Sequence, residues 1–326
     1  MYNESGRIQH FKNIETKDDL LYVLNVSSRK YDYLIYQKKN LYISFYINKK
    51  QGVFIKILSP CYYLKRIQKE LNVVLRNNYE FNNVTIQGFV KYHSIKTNAI
   101  VHKDANYIVN IDLKNFFDNI HFGRVRGMFM KSPFNFSDYI ATNLAKLTCY
   151  EKKLPQGAPT SPTISNIICY RMDRELSHLC NKYNCRYTRY ADDITISTKM
   201  LYLPKEIAKF RDGQVILSSN ITDIIKNEGF TINIDKLNIS PNTDRQEVTG
   251  LIVNKKVNVQ KVYIKKLRAL LNNVSKYGFY LEGCKYFEKT LNDCSNKDYV
   301  EHRFINVLKG KIEFLKMIRG IDDYVY

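Results

Sequence analysis

The chain has 326 residues, 44% of them hydrophobic, enough for a packed core and for one large or two ordinary domains. Its formal net charge of +20, from 51 Lys and Arg against 31 Asp and Glu, points to a polyanionic partner, although AT-biased coding also enriches a chain in Lys, Asn, Ile and Tyr. The N-terminus lacks an apolar signal core, no run nears the roughly 18 apolar residues of a membrane span, and the seven cysteines include no Cys-x-x-Cys; a cytoplasmic protein without disulfides, zinc or a membrane partner is expected.

Residues 1 to about 28 read as a partly polar helical extension. Strand-like runs at 41–47 and 53–58 flank Asn48-Lys-Lys-Gln-Gly52, a good hairpin turn. A helix follows Pro60, with Leu64, Ile67, Leu71, Val74 and Leu75 on one face. Tyrosines interleaved with basic residues around Tyr31 to Tyr42 can stack bases or pack in a core. Tyr107-Ile-Val-Asn-Ile-Asp112 is a buried-strand pattern ending in a carboxylate, which in isolation reads better as a strand-terminating turn residue or a helix N-cap than as a metal ligand. Leu154-Pro-Gln-Gly-Ala-Pro-Thr-Ser-Pro162 is a rigid loop that opens a helix, with Ser161 as cap and Pro162 as first residue. Ile164, Ile167, Ile168, Met172, Leu176 and Leu179 then predict one helix packed on the sheet that carries the acids. Such a loop can press its backbone and the Gln156 amide against a base and sugar, or be a plain connector.

Tyr190-Ala191-Asp192-Asp193 lies between two alternating strand patterns, so its carboxylates sit at a predicted hairpin tip, where most acid pairs are merely solvated. With Asp112 they form a three-carboxylate cage for two Mg²⁺ ions roughly 4 Å apart, an arrangement suited to phosphoryl transfer. Two helical stripes follow Gln260, one through Tyr263, Leu267, Leu270, Leu271 and Val274, the other through Ile305, Leu308, Ile312 and Leu315. Lys265, Lys266, Arg268, Lys309, Lys311, Lys316 and Arg319 decorate them, either to grip a duplex or structured RNA or, in part, as solvated faces.

Asp112 with Phe116-Phe117, Leu154-Pro-Gln-Gly157 and Tyr190-Ala-Asp-Asp193 resemble the palm motifs of reverse transcriptases in order and separation. Asn98-Ala99-Ile-Val-His102 resembles the Asn-Ala-x-x-His signature of retron reverse transcriptases, and Val248-Thr249-Gly250 resembles their Val-Thr-Gly signature. Each signature alone reads as an ordinary loop; together they favour the retron branch over the group II intron branch. The resemblance spans roughly residues 30 to 255.

It implies an α+β right-hand polymerase, with a helical extension at 1–28, fingers and palm at 29–254 with an antiparallel sheet on helices, and a helical RNA-binding thumb at 255–326. It implies an RNA-directed DNA polymerase in which Asp112, Asp192 and Asp193, with the Leu113 carbonyl, hold two Mg²⁺. Tyr190, Gln156 and Gly157 would meet the incoming dNTP, and Phe117 would be the steric gate. Lys236, three positions after Asn233, would lie near the departing pyrophosphate as acid or stabiliser, or be a surface lysine; Leu237 departs from the family's usual Thr. The family's fingers Arg falls on Ile55 here, which leaves Lys56, Lys49, Lys50 and Arg66 as triphosphate ligands, Lys56 only with a register shift. Implied partners are a cognate structured non-coding RNA, primed from a guanosine 2′-OH to give branched msDNA, a host RNase H and an effector or toxin in defence against phage. A group II intron-like enzyme with a 3′-OH primer, or an RNA-binding scaffold that holds an effector inactive, are the alternatives.

Overall fold

A computed structural model describes residues 3–36, 41–48, 54–81, 84–211, 214–287 and 296–321. The chain forms two compact units, each discontinuous in sequence: Met1–Tyr92, Val109–Ile196 and Leu203–Ile239 in one, His93–Ile108, Ser197–Tyr202 and Ser240–Tyr326 in the other. A linear division at 28 and 254 does not coincide with them, because 93–108 joins the unit that contains the C-terminal helices.

The N-terminal segment is helical: α1 (Glu4–His10), a 3-10 turn (Phe11–Asn13), α2 (Lys17–Val23) with a Thr16–Asp19 capping box, and α3 (Ser28–Tyr36). It is core as well as extension, since Phe11, Leu20 and Leu24 are fully buried. Arg7 Nη1 donates to the Val23 carbonyl (3.1 Å) and to Glu70 Oε2 (2.7 Å), which ties this segment to the helix after Pro60. The hairpin of β1 (Tyr42–Asn48) and β2 (Phe54–Pro60) is antiparallel, with Tyr46 opposite Lys56 and Ile47 opposite Ile55. Its turn, including Lys49 and Lys50, lies outside the described residues. In α4 (Tyr62–Asn78) the five residues read from the sequence as one face are all buried.

The next elements are α5 (Ile95–Val101), β3 (Tyr107–Lys114), α6 (Phe122–Met130) and α7 (Asp138–Thr148). The helix predicted after the Pro/Gly loop is two helices, α8 (Ser161–Ile168) and α9 (Tyr170–Lys182), that meet at Cys169. Ser161 is not the cap. Thr160 holds that position without a side-chain bond, Pro162 falls second, and the Ser161 hydroxyl donates to the Pro155 carbonyl (2.7 Å), which braces the loop. There follow β4 (Cys185–Tyr190), β5 (Asp193–Thr198), the ribbon β6 (Ala208–Arg211) and β7 (Gln214–Leu217), α10 (Ser219–Asn227), β8 (Thr231–Ile232) and β9 (Asn238–Pro241). The main sheet has the order β4-β5-β3-β8, with β9 also paired to β3. Strand β8 is antiparallel to β3, with Leu113 opposite Ile232.

In the second unit β10 (Glu247–Val248) and β11 (Leu251–Ile252) form a short ribbon, and α11 (Lys261–Tyr286) pairs with α12 (Lys297–Arg319). Their shared core includes Ala99, Val248, Leu267, Phe304, Leu308 and Leu315. Two details differ from the stripes read in the sequence. Leu271 is 41% exposed, and Phe304 rather than Ile305 is fully buried; α11 also bends at Gly278, whose φ of 81° and ψ of 168° are not helical. No helix among the described residues is long and apolar enough to cross a membrane.

The Phe11 ring meets Phe136 at 5.2 Å and Phe134 at 5.9 Å, edge to face. Phe11→Ala should therefore destabilise the first unit by about 3–5 kcal/mol, the usual loss for a buried aromatic. Denaturant unfolding measures this, and an unshifted midpoint would show the N-terminal segment to be dispensable for the core.

Candidate active site

Strand β3 carries Asp112 into a nearly closed position, 8% exposed. A buried carboxylate needs partners, and both its oxygens have them. Lys236 Nζ donates to Oδ1 (2.6 Å) and Asn233 Nδ2 to Oδ2 (3.0 Å), while the Asn233 N–H donates to the Asp112 carbonyl (2.8 Å). The chain delivers both groups by returning through α10 and β8 and tightening at once into a 3-10 turn, Ile234–Lys236. The hydrogen bond to Asp112 raises the Lys236 pKa above its ordinary 10.5; burial opposes this, and the nearby charges of Asp112, Asp192 and Asp193 add to it.

The acid pair stands where β4 turns into β5. Ala191 has φ of 57°, a left-handed conformation that costs a non-glycine residue of order 1–3 kcal/mol unless its surroundings enforce it. The Leu113 N–H donates to the Asp192 carbonyl (3.0 Å), so the residue after Asp112 clasps the turn from β3. Asp192 is half-buried and Asp193 is exposed at the start of β5.

Asp112 and Asp192 line one cavity of about 670 Å³. Leu113, Phe117, Gln156, Lys56 and Lys236 line it too, so most residues singled out from the sequence converge. Asp193, Gly157, Tyr190 and Arg66 do not line it. Gly157 serves a close approach: at φ of 121°, a Cβ there would stand 2.8 Å from the Leu58 carbonyl oxygen, while the Leu58 N–H donates to the Gln156 carbonyl (2.9 Å). The loop therefore seats itself on β2 and leaves Gln156 at the wall. Ile55 and Lys56 both border the cavity even though they alternate along β2. Lys114 and Lys153 do so as well and were not singled out from the sequence; Lys153, beside the Leu154-Pro155 motif, has Asp118 at 3.7 Å.

Hard carboxylates on one cavity wall are donors that suit Mg²⁺. Among the described residues no group of three His, Cys, Asp or Glu is drawn together tightly enough to enclose a metal as the side chains stand. Both oxygens of Asp112 are engaged, by Lys236 and Asn233. All three acids are nonetheless close enough to raise the Lys236 pKa, so the donor set fits a cation that exchanges with that ammonium.

The two short signatures meet in the second unit. Asn98 Nδ2 reaches Thr249 Oγ1 (3.4 Å), and the Thr249 hydroxyl contacts the Ile95 carbonyl (3.5 Å). His102 Nδ1 lies 2.7 Å from Ser197 Oγ, and Asn98, Ala99, His102 and Val248 are buried, with Gly250 at φ of 83° completing the turn. Here they are packing elements. Of the basic residues on the C-terminal helices, Lys265, Lys266, Arg268 and Lys309 are exposed, whereas Lys316 is half-buried and Lys311 sits over the rings of Tyr263 (5.8 Å) and Tyr286 (5.9 Å).

The family model "Reverse transcriptase (RNA-dependent DNA polymerase)" matches residues 47–254. The chain is 31% identical over 303 residues to Retron Mx162 reverse transcriptase of Myxococcus xanthus, covering 84% of this chain and 61% of that protein. It is 37% identical over 188 residues to Retron Ec86 reverse transcriptase of Escherichia coli, covering 57% and 55% respectively. The chain thus spans less than two thirds of the length of these relatives. Among solved structures it is similar to apo telomerase from Candida tropicalis, with a TM-score of 0.48 and 11% identity over 85% of this chain and 58% of that one. A polymerase family model across most of the α+β core, together with these relatives, shows that the chain belongs to the reverse transcriptase family and is of the retron type.

Proposed function

We propose that the protein is an RNA-directed DNA polymerase that copies part of a cognate structured non-coding RNA into DNA. The observation that supports this most is the shared cavity of Asp112 and Asp192, with Lys56, Gln156, Phe117 and Lys236 around it. Two Mg²⁺ ions held by Asp112 and Asp192, with Asp193 and the Leu113 carbonyl as further donors, would supply activation of the primer hydroxyl and charge neutralisation on the triphosphate. Lys56, Lys114 and Lys153 offer ammonium groups to the triphosphate, and Gln156 an amide to the base and sugar. Lys236 is an ammonium at neutral pH, as a lysine ordinarily is, and its hydrogen bond to Asp112 raises its pKa further, so it would have a proton ready for the departing pyrophosphate. The Phe117 ring packs edge to face on Phe116 (5.2 Å), which stacks on Phe230 (5.4 Å), so it is braced to exclude a 2′-OH and select dNTPs.

The finer reading follows the retron relatives. Exposed Lys265, Lys266, Arg268 and Lys309 would hold RNA phosphates, Lys311 and Lys316 contributing less, and synthesis would start from a guanosine 2′-OH to give msDNA in the cytoplasm. A host RNase H would trim the template, and an effector protein would couple the product to defence.

Purified protein with its RNA, Mg²⁺ and dNTPs should extend DNA, and Asp192→Ala should slow extension by about a thousandfold or more, since metal-held charge stabilisation amounts to several kcal/mol. Equal extension by the variant would refute the assignment, and a product without a 2′–5′ linkage would replace the priming step with a 3′-OH primer. Phe117→Ala should raise ribonucleotide insertion relative to deoxynucleotide by roughly tenfold or more, read by single-nucleotide incorporation. The folded pKa of Lys236 is raised, so whatever stability its half-exposed pair adds is complete below its ordinary pKa and fades as pH climbs through the raised value. Melts of wild type and Lys236→Met from about pH 9 to 11.5 should therefore converge at the alkaline end, and a constant gap would exclude the pair as the cause.

A further inference from the structure

Beneath the turn that carries Asp192 lies an ion pair the polymerase reading does not use. Arg189 in β4 is 0% exposed and Asp173 in α9 is 3% exposed. Arg189 grips Asp173 with two parallel bonds, Nε to Oδ1 and Nη2 to Oδ2, each 2.7 Å, and the Tyr187 hydroxyl donates to the same Oδ1 (2.7 Å). Burying two charges is expensive, and a well-packed apolar pair does as well for stability. The geometry shows what else the pair does. The third nitrogen, Nη1, donates to the Ala191 carbonyl (3.1 Å) and to Asn166 Oδ1 (3.2 Å).

Asn166 in turn donates from Nδ2 to the Gly88 carbonyl (2.9 Å). Gly88 lies so close beneath the turn that a Cβ on it would meet the Ala191 nitrogen at 2.6 Å. The Gln87 N–H donates to the Arg189 carbonyl (2.9 Å), so the segment before Gly88 is fixed on β4 as well. Ala191, held left-handed at φ of 57°, is thus bound from below by Arg189 and Gly88, and Asp192 beside it is bound from β3 by Leu113.

We propose that Arg189, locked by Asp173 and linked through Asn166 to Gly88, is the positioning residue that sets the Asp192 carboxylate against Asp112, and so sets the affinity of the site for divalent metal. Arg189 touches neither substrate nor metal; it acts through the backbone of Ala191. A fork anchored at two nitrogens and directed with the third fixes a carbonyl in a way a lysine cannot. The inference rests on the polymerase reading of the cavity.

The test is Mn²⁺ binding to the full chain, followed through the EPR signal of the free ion, beside DNA extension at varied Mg²⁺. Arg189→Lys and Asn166→Ala should each weaken Mn²⁺ binding by roughly tenfold or more, the usual effect of losing an outer support of a metal ligand. The Mg²⁺ needed for half-maximal extension should rise in parallel, and kcat should fall more than the KM for dNTP changes. Leu176→Ala, a fully buried change on α9, should lower Tm and leave Mn²⁺ binding as in wild type. Should Arg189→Lys not fold, Asn166→Ala decides, since it spares the Asp173 pair. Wild-type Mn²⁺ affinity in the folded variants, or an equal loss in Leu176→Ala, would overturn the proposal. Failure of the polymerase reading shows separately, as wild-type protein that binds Mn²⁺ and makes no DNA.

Discussion

The hydrogen-bonded environment of Asp112 is the constraint on which the first unit depends. A carboxylate enclosed in a central strand must have both oxygens satisfied, and Lys236 and Asn233 satisfy them from a segment more than a hundred residues later. That requirement is met by the chain after the β6–β7 ribbon, which runs through α10, returns as the two-residue strand β8 and enters a 3-10 turn that presents both side chains. The same stretch of β3 reaches the other way through the Leu113 N–H, which clasps the Asp192 turn. Two consecutive residues thus hold β3 to both the Lys236 turn and the Asp192 turn.

What the sequence shows well is chemistry carried by neighbours along the chain. The strands flanking Asp192-Asp193, the apolar run into Asp112 and the five-residue face of α4 all appear in the fold, although the flanks, read as half-buried from their period-two pattern, are buried on both faces: Thr195, Ser197 and Thr198 are as enclosed as Ile194 and Ile196. The N-terminal segment reads as a partly polar helical extension, yet Phe11, Leu20 and Leu24 are each fully buried. The apolar period from Ile164 to Leu179 runs through the junction at Cys169 without a break, so no local signal separates α8 from α9. Ser161 has the residue type of a cap, but a buried carbonyl within its own loop competes for the hydroxyl and wins.

Other features were illegible because they exist only once distant pieces pack. Asp173 and Arg189 each look like an ordinary surface charge, one in a helix pattern and one in a strand; only the packing of α9 on β4 makes them a buried pair. Lys311 reads as a phosphate-binding cation, whereas two tyrosine rings already face its ammonium. Asn98 and Thr249 look like loop residues in sequence. Asn98 is buried and Thr249 half-buried, and their small hydrogen-bonding side chains let α5 and the β10–β11 turn come close with polar groups paired.

The contact between Asn98 and Thr249 also orders events in time. At ordinary translation rates of roughly 5–20 residues per second, the segment around Asn98 leaves the ribosome on the order of ten seconds before its partner exists. Buried groups such as Ala99 and His102 must wait without their final neighbours, because the pieces that cover them come from beyond Ser197 and Ser240. Closing so long a loop is slow by topology. A nascent chain stopped short of Val248 therefore leaves an apolar helix unmatched, and a truncation at the far end is felt by residues near the first third of the protein.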